Sequence, residues 1–168
     1  MPIVEMTMIE GYDAQTKTRL ITSLTRAVRS VMAAPPEGVI IVLREVQGGC
    51  YARGGTARVP GPPLPSSETV VRDFLRAVSE GDRSAAASYV TSGFSASVGD
   101  GQTHDITQYL ARATDKAAQR LYLHFHEALT DQGALLIAEG SSETYPRFIE
   151  MFNIENGKIC RSQRFSMT

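Results

Sequence analysis

The chain has 168 residues, with 17 Lys and Arg against 18 Asp and Glu and 42% apolar side chains, the usage of an ordinary globular protein. A formal charge of −1 leaves no strong electrostatic case for binding nucleic acid or an acidic membrane surface, and Cys50 and Cys160 alone are too few for a disulfide framework or a four-ligand zinc site. No apolar run reaches about 18 residues and the first twenty residues lack a basic start leading into an apolar core, so the expectation is a soluble, cytoplasmic protein.

The first segment reads as strand, helix, strand. From Pro2 to Ile9 the side chains alternate, Ile3, Glu5 and Thr7 against Val4, Met6 and Met8, the period of a strand. Asp13 is placed to cap a helix in which Leu20, Leu24, Ala27, Val28 and Val31 form an apolar stripe through about Met32. Pro35-Pro36-Glu37-Gly38 ends it. Val39 to Val46 is β-branched and opens as an unbroken apolar run, which predicts a strand covered on both faces and paired in parallel with the first. Some 55 residues bury too little surface to stand alone, so this segment needs copies of itself or a second domain.

Four of the eight prolines fall between 60 and 65, and such a run reads as a semi-rigid linker. It divides the chain into 1–55, a linker at 56–66, and 67–168. Beyond it, Ser66 and Ser67 cap a helix whose apolar face is Val70, Val71, Phe74, Leu75 and Val78, ended by Gly81. Asp82 caps a second short helix through about Tyr89 and Val90, Phe94 to Val98 is a short strand, and Thr103 to Ala113 reads as a third helix. The rest is an antiparallel meander, Leu121–Leu129, Ala134–Ser142, Arg147–Glu155 and Lys158–Ser166, turned at Asp131-Gln132-Gly133 and Asn156-Gly157. Helices followed by a curved antiparallel sheet make the second part, and the chain as a whole, α+β.

Pro2 is the residue with most chemistry in reach. Removal of Met1 would leave it a secondary amine, and an apolar surround lowers the pKa of such a group, so that it can accept a proton from carbon beside a carbonyl near neutral pH. Its context is PIVEMTMIEG, then the helix, then AAPPEGVIIVLREV and GGCYARGG. This stretch, Pro2 to Gly55, resembles the tautomerase superfamily, specifically the short subunits similar to 4-oxalocrotonate tautomerase. The resemblance implies a β-α-β subunit, assembly into hexamers or their equivalent, and Pro2 as base in cofactor-independent keto–enol chemistry on small keto or enol acids. Where the family carries two carboxylate-binding arginines, this sequence has Tyr12 and Ile40, and Tyr51 stands at the position of the family's pocket aromatic. The bidentate clamp on a substrate carboxylate is therefore missing. Arg44 shares strand parity with Ile40 but lies about 13 Å along it, and Arg53, close to Tyr51, is the other candidate to hold a carboxylate or enolate.

From Glu68 to Phe165 the order of elements and the closing FNIENGKICRSQRF hairpin resemble the nuclear transport factor 2-like superfamily on its SnoaL-like side. That resemblance implies a cone-shaped fold with a pocket, commonly dimeric, hosting isomerases, cyclases and binding modules alike. Here His124 and His126 alternate on one strand, with Glu139, Glu143 and Glu150 on neighbouring strands. They are candidates for an acid/base cluster, with Tyr109 as pocket lining, whereas a solvated sheet face is the plainer expectation. No metal site is expected. Arg161 and Arg164 read as a solvated edge. The partners expected are a small-molecule substrate and further copies of the chain, with a hexamer or a trimer of dimers preferred, and neither nucleic acid nor membrane. Two rival assignments stay open: the first module only assembles the oligomer and the second catalyses, or both bind without turnover.

Overall fold

In the computed structural model, which describes residues 1–99, 101–113, 120–131, 133–143 and 146–167, the alternating run after Pro2 forms strand β1 (Ile3–Ile9). The Asp13 carboxylate accepts the Thr16 amide at 2.7 Å and so caps helix α1 (Ala14–Val31), satisfying one of the donors that a helix start leaves unpaired. The prolines after it make a single 3-10 turn at Pro36–Gly38. Strand β2 (Ile40–Val46) then runs parallel to β1, with Ile3 opposite Ile40 and Ile9 opposite Val46.

The expectation that β2 is covered on both faces does not hold within this unit. Lys17 of α1 meets Glu45 at 2.7 Å, so the helix covers the Glu45 face. The opposite face carries Ile3, Glu5, Ile40 and Arg44 and has no covering element of its own unit. Ile3 is 59% exposed and Ile40 37%. Met8 is the unit's one buried apolar side chain among the described residues, because a single helix can shield only one side of a two-stranded sheet.

A minimal hairpin follows, β3 (Ala52–Arg53) against β4 (Thr56–Ala57). Gly54 and Gly55 turn it at φ +59° and +76°, left-handed values that glycine adopts without strain. The compact first unit runs from Met1 to Pro63 and the second from Leu64 to Thr168. Most of the stretch read as a linker thus belongs to the first unit: a Cβ placed on Gly11 would stand 3.0 Å from the Pro60 ring.

In the second unit Ser66 accepts the Thr69 amide at 3.1 Å and opens α2 (Ser67–Glu80), which Gly81 closes in the left-handed region. Asp82 at once caps α3 (Arg83–Ser88), accepting the Ala85 amide at 2.9 Å. Strand β5 (Val90–Val98) follows. The third helix begins later than its sequence reading. Thr103 and His104 lie in strand β6 (Gln102–His104), hairpinned onto β5, and α4 spans Ile106–Ala113. Asp105 is the reason: its carboxylate accepts the Gln108 amide at 2.8 Å while its own amide donates to Gln108 Oε1 at 3.2 Å, a reciprocal capping box that fixes the start.

Strands β7 (Arg120–Thr130), β8 (Gly133–Ser142), β9 (Arg147–Glu155) and β10 (Lys158–Met167) complete a six-stranded sheet ordered β6-β5-β10-β9-β8-β7. β5 and β10 are parallel and the other pairs antiparallel. Irregularities at Tyr122/His124 and Ile159/Arg161 bend it, as bulges do. Asn156 and Gly157, both at positive φ, make the primed turn between β9 and β10; Gln132, in the turn expected before β8, lies outside the described residues. The inner face of the sheet, including Leu136, Phe152 and Ile159, packs on Val70, Val71 and Phe74 of α2 and on Tyr109 and Leu110 of α4. The chain is therefore α+β, a β-α-β unit followed by helices packed on a curved sheet.

Candidate functional site

Pro2 leads directly into β1. It is half-buried, and its carbonyl accepts the Ile40 amide at 3.0 Å, so the residue is pinned as an extension of the ladder, next to Met1, which is 85% exposed. Ile40 therefore sits beside Pro2 at one end of the two-stranded sheet.

Tyr12 and Tyr51 lie elsewhere. They line a cavity of about 440 Å³ formed by the last residues of β1, the start of α1 and the segment around Pro60. Met6, Met8, Leu20 and Val46 supply apolar wall, and Thr7 and Thr16 join the tyrosines as hydroxyl-bearing residues. No charged side chain lines it. Pro2 is not part of the wall: Met6 lies four positions, about 13 Å, further along the strand. Arg44 is also elsewhere, on the helix-free face, where its Nη2 lies 3.0 Å from Glu5 Oε2, and Arg53 is exposed on β3. One chain thus holds Pro2 and Ile40 at one place, Tyr12 and Tyr51 at another, and neither arginine at the cavity.

In the second unit the bulge at Tyr122/His124 and the alternation of β7 leave His124 and His126 exposed. His126 Nε2 is 3.8 Å from Glu139 Oε1. His124 and Glu139 border a recess of about 210 Å³ with Arg147. Tyr109 is buried in the core between sheet and helices and is not brought together with either histidine; Glu143 follows β8 as an exposed residue. Among the described residues no group of three or more His, Cys, Asp or Glu side chains is arranged to hold a metal ion, and no helix is long and apolar enough to cross a membrane.

Glu150 departs furthest from its sequence grouping. It alternates inward with Phe148, Phe152 and Ile154 and is fully buried. Its Oε2 accepts from Arg164 Nε at 3.0 Å, Arg164 Nη2 at 2.9 Å and the Tyr122 hydroxyl at 2.6 Å. Its Oε1 accepts from the Ser162 hydroxyl at 2.6 Å and the Tyr109 hydroxyl at 3.4 Å. Burial alone would raise its pKa; the Arg164 and Arg120 charges, with the Ser162 and Tyr122 hydrogen bonds, reverse that and hold the carboxyl below its ordinary value. Burial, and then the Glu150 charge, push the Tyr109 phenol up to about 12 and Tyr122 well above its usual value. Desolvation opposes the Arg164 charge, but Glu150 outweighs it and raises the guanidinium's pKa. Arg164 is thus an internal ion-pair partner, not a solvated edge. Every oxygen of Glu150 already has donors, so the cluster clamps α4, β7, β9 and β10 together and offers no idle base. The signal available in the sequence was a single acidic residue in a strand whose other same-parity positions are Phe, Phe and Ile.

Residues 2–58 match the family model named Tautomerase and described as a tautomerase enzyme. A protein of Ralstonia nicotianae named a probable tautomerase is 40% identical over 60 residues, spanning 36% of this chain and 81% of that protein. Among solved structures, a 4-oxalocrotonate tautomerase homologue is 28% identical over 36% of this chain and 100% of its own, with a TM-score of 0.33. An NTF2-like protein of unknown function from Cytophaga hutchinsonii is 13% identical over 64% of this chain and 95% of its own, with a TM-score of 0.48.

Proposed function

This chain belongs to the tautomerase family, and from that membership we propose that its first unit is a tautomerase or isomerase of small carbonyl compounds with Pro2 as general base. The observation that carries the reading is the position of Pro2: the family match begins with it, and the hydrogen bond to Ile40 holds its nitrogen at the edge of the sheet. Once Met1 is removed, the Pro2 amine takes a proton from the carbon beside the carbonyl. The C–H electron pair moves into the enolate, and the protonated amine returns the proton at oxygen or at another carbon. Hydroxyl donors at the enolate oxygen stabilise the charge as it develops.

Pro2 and the two tyrosines occupy separate places in one chain, so a site containing all three draws on a second copy. The uncovered face of β1 and β2 gives copies a surface to meet, and an assembly of six chains is the arrangement proposed. The second unit leaves His124 and His126 exposed and keeps Tyr109 buried apart from them, so it does not gather its three candidates into one site.

Two measurements test the base. Intact-protein mass should be lower than the full sequence by one methionine. Pro2→Ala should reduce ketonisation of phenylenolpyruvate, and deuterium exchange into phenylacetone, by roughly 10²-fold. A folded Pro2→Ala protein with full activity on both overturns the assignment.

A further inference from the structure

We infer that the cavity beside Tyr12 and Tyr51 takes an uncharged carbonyl compound with an apolar, ring-sized body, and discriminates against the corresponding carboxylate. The inference rests on reading the first unit as a tautomerase and names the substrate class of that site. The volume, about 440 Å³, lies within the range of roughly 300–1,000 Å³ usual for small-molecule pockets, which are mostly apolar with a few polar groups that orient the ligand. The wall has that composition: Met6, Met8 and Leu20 for a hydrophobic body, and Tyr12, Tyr51 and Thr16 as hydroxyl-bearing residues for one oxygen.

What the wall lacks is a cation. Lys17 directly follows Thr16 in sequence, yet its Nζ is held by Glu45 at 2.7 Å. Arg44 pairs with Glu5 on the face of the sheet away from α1, and Arg53 sits on the β3 hairpin outside the lining. A carboxylate moved into this half-open cavity gives up part of its water and gains no counter-ion from the lining of its own chain, which is unfavourable. A ketone or aldehyde gives up far less. Its oxygen needs only hydroxyl donors, and the enolate's negative charge exists only while the proton is on the base.

Phenylacetone and phenylpyruvate separate the alternatives, since they share the ring and the methylene beside the carbonyl and differ by methyl against carboxylate. Isothermal titration of the full chain is expected to show phenylacetone binding at least about tenfold more tightly, and Tyr12→Arg is expected to invert that order by placing a guanidinium in the wall. Equal or tighter binding of phenylpyruvate to the unaltered protein, or binding of neither, overturns the inference; this comparison stands whether or not Tyr12→Arg folds. Pro2→Ala keeps the two proposals apart. A neutral preference retained alongside exchange that no longer depends on Pro2 overturns the base alone. Pro2-dependent exchange with a preference for phenylpyruvate overturns the substrate class alone.

Discussion

Glu150 reaches zero exposure only because a guanidinium and three hydroxyls receive it, and that makes the cluster sensitive to losing one member. Glu150→Leu leaves Arg164 buried without its counter-charge, an error expected to cost about 3–5 kcal/mol. The double variant Glu150→Leu with Arg164→Met should recover most of that loss, because a matched apolar pair carries no stranded charge. Urea unfolding of the three proteins checks this, and a single variant as stable as the parent would refute it. Acid sensitivity follows from the same geometry. Native Glu150 is held below its ordinary value of 4.5, so its contribution is complete above that value and is lost as pH falls through the native pKa. Between neutral pH and about pH 3 the parent's urea midpoint should fall more steeply than that of Glu150→Gln. Pro2, Tyr12 and Tyr51 are read together in the sequence because each occupies a position in a contiguous family pattern, whereas one chain holds Pro2 apart from the two tyrosines. The Glu150–Arg164 pair was not legible there, because it depends on the register of β9 against β10, which the Ile159/Arg161 irregularity sets.

At the scale of elements, short polar residues decide where structure starts and stops. Asp13, Ser66 and Asp82 each accept an amide three residues on, and each was visible as a cap before any fold was known. Ser66→Ala should lower the stability of the second unit by about 1 kcal/mol, measured as a shift in the urea midpoint of its helical signal; no shift would mean that tertiary packing alone positions α2. The 103–113 reading failed on the same chemistry. The apolar spacing of Ile106, Tyr109 and Leu110 extends plausibly backward to Thr103, but the reciprocal Asp105–Gln108 box sets the start at Ile106 and releases Thr103 and His104 to pair with β5. Close approach sets another limit. A Cβ on Gly140 would lie 2.5 Å from both the Phe148 ring and the Leu121 carbonyl, so the crossing of Phe148 over β8 requires glycine there.

At the scale of the whole molecule the two units are unequal. The second has a contiguous interior built on Phe74, Phe94, Phe152 and Ile159. The first keeps one buried apolar side chain and an open sheet face. The α+β plan followed from the order of the elements, and the expectation that the first segment takes partners followed from its length and strand pattern. How far its faces stay open did not, since an unbroken apolar run looks the same whether a helix or another chain covers it. Sedimentation at micromolar concentration is expected to give a multiple of the 18.3 kDa chain mass; a single-chain mass would overturn the assembly proposed for it.

The open face of β1 and β2 also bears on abundance. If neighbours supply the missing cover, closing the sheet and completing the compartment are one event, and a solitary chain has neither. Catalytic output is then expected to rise more steeply than in proportion to the number of chains made, nearly silent when they are scarce and engaging over a narrow range of expression. Serial dilution should lower turnover per chain, while the second unit, which carries its own interior, stays folded throughout.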